Sequence, residues 1–189
     1  MIWRDLVEVP WIVFVVYWLV SALHTRRAVK QESRGSRSAI GLMVFVGFFL
    51  LFSRRNDLNV GFLGEPILPR TYAFSVAAVA FTWIGIALAI WARWHLGEYW
   101  SGRVTLKEDH KLIRTGPYAY FRHPIYSGIG LAAIGGVLAI DRWRSVLGAL
   151  FIIAAHWIKA RKEEALLAQQ FGPAFDEHRR HTGFLLPKF

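Results

Sequence analysis

Side chains able to do chemistry crowd into one stretch of a largely apolar chain, Arg103 to Tyr126, RVTLKEDHKLIRTGPYAYFRHPIY. It carries the cations Lys107, Lys111, Arg114 and Arg122, the imidazoles His110 and His123, and the phenols Tyr118, Tyr120 and Tyr126. Gly116-Pro117 favours a turn. Pro124 disfavours helical dihedrals at His123, so Arg122-His123-Pro124 is expected to be a bent connection with backbone groups free to meet a ligand. Further on, Lys159 and Glu163 are four residues apart and share a helix face, with His156 a turn earlier. That face either borders a reaction centre or is an ordinary solvated one, on which a Lys159 to Glu163 pair contributes only ~0.3 to 0.5 kcal/mol.

Several chemistries are disfavoured. The chain has no cysteine, hence no thiolate metal site and no thiol nucleophile. His178 and His181 are three residues apart but lack a further ligand at diagnostic spacing, so no metal is expected. Neither a Gly-Lys-Ser/Thr phosphate loop nor a Gly-x-Ser-x-Gly elbow occurs, which argues against a triphosphatase or a serine hydrolase. The formal charge of +10 comes from residues flanking apolar runs, where anionic headgroups and positive-inside topology account for it. With no binding module beside the basic residues, nucleic acid is not expected as a partner.

Two blocks resemble the isoprenylcysteine carboxyl methyltransferase family and its phospholipid methyltransferase relatives. The first is His110-Lys111-Leu112-Ile113, Gly116-Pro117-Tyr118 and Arg122-His123-Pro124-Ile125-Tyr126; the second is Glu163-Glu164, Leu166-Leu167 and Phe171-Gly172-Pro173-Ala174-Phe175. The resemblance covers roughly residues 94–187. It implies an integral-membrane enzyme that uses S-adenosylmethionine, with cofactor-binding positions at Arg103, His110, Lys111, Leu112, Ile113, Tyr118, His123, Pro124, Ile125, Tyr126 and Glu163, and with Lys159, Glu163 and His123 as the catalytic candidates. Arg103 stands where the animal enzymes carry glutamine. Lys159 stands where carboxyl-methylating members carry an arginine that meets the substrate. Arginine holds a carboxylate by two parallel hydrogen bonds, whereas lysine offers a compact charge without that geometry.

The elements that must position these residues are membrane helices. Over 189 residues, 54% hydrophobic content and a positive mean hydropathy indicate a membrane protein. Five transmembrane helices are expected in an all-α single domain, with 1–93 forming an N-terminal three-helix part and 94–189 the catalytic motif region. The first runs from about Val9 to Leu23, extended by Leu6 and Val7, and reads as a span rather than a signal peptide. Ala39 to Phe52 is the second and Thr71 to about Trp94 the third. Ser127 to Ile140 and Ser145 to Ile158 form a tight hairpin about Asp141-Arg142-Trp143-Arg144. Gly128, Ala132 and Gly136, four apart, offer a smooth face to another helix and mark a candidate edge for lateral lipid entry. Lys159 to Gln170 continues the fifth helix into water until Gly172-Pro173 ends it. The remaining tail is expected to pack back on the site or lie at the interface. The basic loop between His24 and Ser38 is expected to face the cytoplasm, which puts the N-terminus outside and both motif blocks in the cytoplasm.

The sequence leaves three functional classes open. One is an S-adenosylmethionine-dependent methyltransferase acting on a membrane amphiphile, either a prenylated carboxylate or another lipid. Another is an NADPH-dependent reductase of sterol or isoprenoid type on a similar scaffold. The third is a non-catalytic lipid-binding protein.

Overall fold

A computed structural model describes residues 2–23, 28–31, 34–53, 55–69, 71–97, 105–107 and 112–189. In chain order the helices are α1 (Ile2–Ala22), α2 (Arg34–Phe52), α3 (Tyr72–Leu96), α4 (Pro124–Ile140), α5 (Trp143–Phe171) and α6 (Pro173–His181). Short 3-10 turns occupy Asn56–Leu58, Gly61–Gly64 and Gly116–Ala119. The all-α expectation needs one amendment. Strand β1 (Ala28–Gln31), from the first basic loop, pairs antiparallel with β2 (Thr105–Lys107), inside the motif stretch. Nothing in the composition of either segment announced this pairing, which ties the α1–α2 connection to the α3–α4 connection.

Among the described residues three helices are long and apolar enough to cross a membrane: Trp3–Ala22, Gly35–Phe52 and Tyr72–Leu96. On α1, Ile12, Val13, Val16, Leu19 and Val20 remain half or more exposed, as an integral membrane protein requires where lipid takes the place of a protein partner. Helix α4 is a shorter apolar helix. Helix α5 is continuous over 29 residues, apolar first and charged later, as its amphipathic second half foretold. Only Asp141 and Arg142 separate the two. Asp141 takes left-handed dihedrals (φ 52) while its Oδ1 accepts hydrogen bonds from the Ile67 and Leu68 amides, both at 2.9 Å. An aspartate tolerates that conformation better than most residues because its short carboxylate bonds nearby backbone.

Two close crossings hold the bundle. A Cβ on Gly85 of α3 would lie 2.4 Å from the Gly128 carbonyl of α4, and one on Gly128 would lie 2.4 Å from the Gly85 carbonyl. Gly47 of α2 and Gly148 of α5 oppose each other in the same way, at 2.8 and 2.6 Å. Such contacts let backbones approach where lipid removes the hydrophobic drive for helices to associate. The small-residue face of α4 does take a helix, as expected. It is therefore filled: Gly128 and Ala132 are buried against α3, and the expectation of a lipid portal at this face is wrong.

Buried arginines cap the ends. Arg93 Nη2 donates to the Ser21 carbonyl at 2.6 Å and Nη1 to Gly97 at 2.8 Å, which closes the C-termini of α1 and α3. At the opposite end Arg144 donates to the carbonyls of Leu50 and Ser53 at the C-terminus of α2 and to Asn59 Oδ1. Each guanidinium meets unpaired carbonyls where the helix dipole is negative. The motif residues gather at the Arg93 end.

Candidate active site

The site is assembled where the loop after α3, the start of α4 and the second half of α5 meet. His95, on the last turn of α3, shares a 2.8 Å hydrogen bond with the Thr115 hydroxyl. Gly116 lies directly over its ring with φ +59, and a Cβ there would come within 2.8 Å of it. The expected Gly116-Pro117 turn thus forms, and it needs glycine for both conformation and space. The turn drops Tyr118 into the core, where its ring lies 6.4 Å from that of His95 and its hydroxyl donates to the Ala92 carbonyl at 3.4 Å.

His123 has φ −128 and ψ 58, the non-helical geometry that Pro124 imposes, and α4 begins at that proline. One turn on, the Tyr126 hydroxyl donates to Glu163 Oε1 at 2.7 Å and so joins α4 to α5. The Tyr126 ring is nearly parallel to His123 (centroids 5.7 Å, 8°), lies 5.1 Å from the His156 ring and has Lys159 Nζ 5.6 Å from its centroid. His123 stands between two carboxylates, with Nδ1 3.6 Å from Glu163 Oε2 and Nε2 3.6 Å from Glu164 Oε1.

Glu163 and Glu164 differ completely in setting, because a step of one residue turns ~100° around the helix. Glu163 faces Tyr126 and retains 23% exposure, whereas Glu164 has 7% and takes a 2.5 Å bond from Arg122 Nε. Burial acts to raise the Glu164 carboxyl, but hydrogen bonding and charge from His123 and Arg122 outweigh it and hold the group below its ordinary range. The same guanidinium donates to the carbonyls of Thr182 and Arg179.

Through Arg122 the tail becomes part of the site. Arg122 N donates to Gly183 O (2.8 Å), Gly183 N to Tyr120 O (3.0 Å), His123 N to Phe184 O (3.3 Å) and Ser127 Oγ to Leu185 O (2.6 Å). The Phe184 ring meets His123 edge-on at 5.2 Å and lies 5.7 and 5.9 Å from the guanidinium carbons of Arg122 and Arg161. Of the two expectations for the tail, packing back on the site is the one realised. Beneath it, burial together with the Arg114 and Arg122 charges pushes His178 down to about 4, against the pull of Glu164, so its imidazole is neutral at pH 7. His178 and His181 line one small cleft with Arg114, Glu177 and Thr182. Among the described residues no group of three or more His, Asp or Glu could hold a metal ion.

Of the residues anticipated from sequence, His123, Tyr126, Lys159 and Glu163 come together. Tyr118, Pro124 and Ile125 are buried core residues, and Ile113 packs against that core, with Leu112 beside it in sequence. Arg103, His110 and Lys111 lie outside the described residues. At 6% exposure, between Tyr126 and Phe184, the His123 ring is itself packed rather than open to a ligand. Sequence reasoning missed Arg122, Glu164 and Phe184 as builders of the site. The available signal was the adjacency of Glu163 and Glu164, which must face different neighbours on one helix.

A bundle of lipid-length helices with a charged, hydrogen-bonded cluster at one end defines a helical membrane protein with a polar site at its aqueous margin. Residues 78–169, α3 through most of α5, match the model of the isoprenylcysteine carboxyl methyltransferase (ICMT) family. Individual relatives agree in part. The nickel-cobalt-cadmium resistance protein NccN of Alcaligenes xylosoxydans xylosoxydans is 28% identical over 116 residues, covering 60% of this chain and 52% of the relative. Protein-S-isoprenylcysteine O-methyltransferase of Schizosaccharomyces pombe is 30% identical over 119 residues, 60% of this chain and 50% of the relative. The Saccharomyces cerevisiae protein of that name is 27% identical over 128 residues, 62% and 54%. The aligned part of the chain thus spans about half the length of these relatives.

Proposed function

We propose that the protein is a methyltransferase that uses S-adenosylmethionine to methylate an amphiphile held in the membrane. The observation that carries this reading is the Tyr126–Glu163 hydrogen bond, with His123 between Glu163 and Glu164, inside the stretch that matches the family. The donor set fits the cofactor. Glu163 commits Oε1 to the phenol, and its side chain, 23% exposed, keeps a second carboxylate oxygen suited to a ribose diol. Tyr126 supplies an aromatic wall, with His123 packed behind it. Leu112 and Ile113 offer apolar surface for an adenine, and Arg103, His110 and Lys111 complete the proposed set from sequence alone.

Bound there, S-adenosylmethionine supplies an electrophilic methyl group on a sulfonium, a displacement that needs alignment and charge stabilisation more than acid or metal catalysis. The chain's own groups serve that need. Tyr126 and the packed His123 fix the Glu163 carboxylate, while Lys159, over the Tyr126 ring, stands ready to orient the acceptor's polar end. Helix α4, 17 residues long, extends ~26 Å at 1.5 Å per residue, close to the hydrocarbon thickness, and the apolar first half of α5 matches it. We therefore read five passes, with the site on the cytoplasmic side.

Titration of detergent-purified protein with S-adenosylhomocysteine and with NADPH tests this. Micromolar binding of the first, weakened in Glu163→Gln, is the expected result. Binding of NADPH instead selects the reductase reading, and binding of neither selects an inert lipid-binding protein. Alkaline phosphatase fused after Lys188 is expected to be inactive in a bacterial host, and strong periplasmic activity would reverse the orientation.

A further inference from the structure

We propose that His156 is the proton acceptor of this site and that the methyl acceptor is accordingly a membrane amphiphile whose nucleophile carries a proton, an amine or a hydroxyl, rather than a carboxylate. The inference rests on the methyl-transfer reading and specifies its substrate class. It starts from a tautomer. His156 Nδ1 lies 2.7 Å from the Ile152 carbonyl. A carbonyl only accepts, so Nδ1 carries the hydrogen, and in the neutral ring Nε2 is left as a bare lone pair.

The position of that ring is what gives the lone pair a use. His156 is half-buried, 5.1 Å from the Tyr126 ring, one turn before Lys159 and on the apolar side of the Tyr126–Glu163 pair. An amphiphile with its chain in lipid brings its head to this level, where its tail gains ~0.8 kcal/mol per buried methylene. Among the described residues no hydrogen bond to His156 Nε2 is formed.

The neighbouring groups are unsuited to the same task. Lys159, as an ammonium over the Tyr126 ring, has no lone pair to offer. Glu163 already accepts the Tyr126 proton donor and faces His123. His123 Nε2 is enclosed and without a hydrogen bond, shut in by Tyr126, Phe184 and Glu164, so no ligand reaches it.

A base is needed only by certain acceptors. A carboxylate is ionised before it reacts and releases no proton on becoming an ester. A hydroxyl must lose its O–H proton, and an amine, which is an ammonium in neutral water, must shed one before it has a lone pair: that proton would pass to His156 Nε2, the freed lone pair would form the new bond to the methyl carbon as the methyl–sulfur electron pair returns to sulfur, and the imidazolium would then release its proton to water.

Three single-chain probes of matched tail test the assignment in the full-length protein: dodecylamine, 4-dodecylphenol and dodecanoate, each with labelled S-adenosylmethionine. Label is expected in the amine or the phenol, and His156→Gln, which can still donate to Ile152 but accepts no proton, is expected to lower that turnover by roughly 10² to 10⁴ without changing S-adenosylhomocysteine affinity. An independent readout needs no turnover: nitrogen NMR of 15N-histidine-labelled protein, with the His156 signal assigned by its loss in His156→Gln, is expected to show a protonated Nδ1 and a bare Nε2 at pH 7. Label confined to dodecanoate, label in none of the three, or a protonated Nε2 overturns the proposal while leaving methyl transfer standing so long as S-adenosylhomocysteine binds. Failure of S-adenosylhomocysteine to bind refutes the methyl-transfer reading itself, and this inference with it.

Discussion

Replacing Glu164 with glutamine is expected to release the C-terminal tail from the site. The substitution keeps the shape of the side chain and removes its charge, leaving the Arg122 guanidinium, 11% exposed, against a neutral amide and the carbonyls of Thr182 and Arg179. Removing one partner of a buried ion pair costs ~3 to 5 kcal/mol because the other charge is left uncompensated. The two carbonyls still solvate Arg122 in part, so the lower figure applies. At ~1.4 kcal/mol per decade, about 3 kcal/mol is roughly a hundredfold change in the equilibrium between docked and released tail. Native-state hydrogen exchange reads it directly at the Arg122, His123 and Gly183 amides, whose bonds to Gly183, Phe184 and Tyr120 carbonyls exist only while the tail is docked. Arg161→Gln is the control: its guanidinium is 61% exposed and 3.9 Å from Glu164 Oε2, and an exposed contact of that kind contributes at most ~1 kcal/mol. Protection in Glu164→Gln within threefold of the parent would show that the pair does not hold the tail.

Other perturbations separate packing from chemistry. Gly85→Ala puts a methyl 2.4 Å from a backbone carbonyl that cannot rotate away; it is expected to destabilise the α3–α4 crossing by about 1 to 3 kcal/mol, seen as faster thermal inactivation in detergent. Lys159→Ala is expected to spare S-adenosylhomocysteine binding and to lower acceptor turnover, and intact turnover removes Lys159 from the site. Tail docking is expected to weaken in acid. His178 is held at about 4 in the folded chain against 6.5 when free, so the released tail takes up the proton first; docking is fully favoured above pH 6.5 and loses this contribution as pH falls towards 4. Arg114, Arg122, His123 and Glu164 are the charged or titratable groups that set this value. Fluorine NMR of fluorophenylalanine at Phe184 follows the transition, and His178→Gln should flatten it between pH 6.5 and 4, leaving only the loss below 4.5 that belongs to Glu164.

What was legible in the sequence was what local chemistry decides. Apolar run lengths placed α1 through α5, glycine and proline placed the Gly116 turn, the start of α4 at Pro124 and the break at Gly172, and the four-residue repeat of Gly128, Ala132 and Gly136 announced a close helix contact. Each is a statement about a residue and its near neighbours along the chain. What stayed hidden depended on which distant segment would arrive. The α4 face could be called smooth, yet whether a lipid or α3 would fill it is decided by Gly85, more than forty residues upstream. Glu163 and Glu164 read as a pair because they are adjacent. Their roles diverge because α5 presents one to Tyr126 and the other to Arg122, whose choice of partner also depends on a tail sixty residues later. The charge on Arg122 was visible, but its burial was not, and burial is what converts an ordinary surface cation into the group on which the tail, Phe184 and the setting of His123 all depend. A functional residue of this kind is found by asking which charge in a motif has no reason to be solvated, and then which carboxylate one helical step from the obvious one could follow it inside.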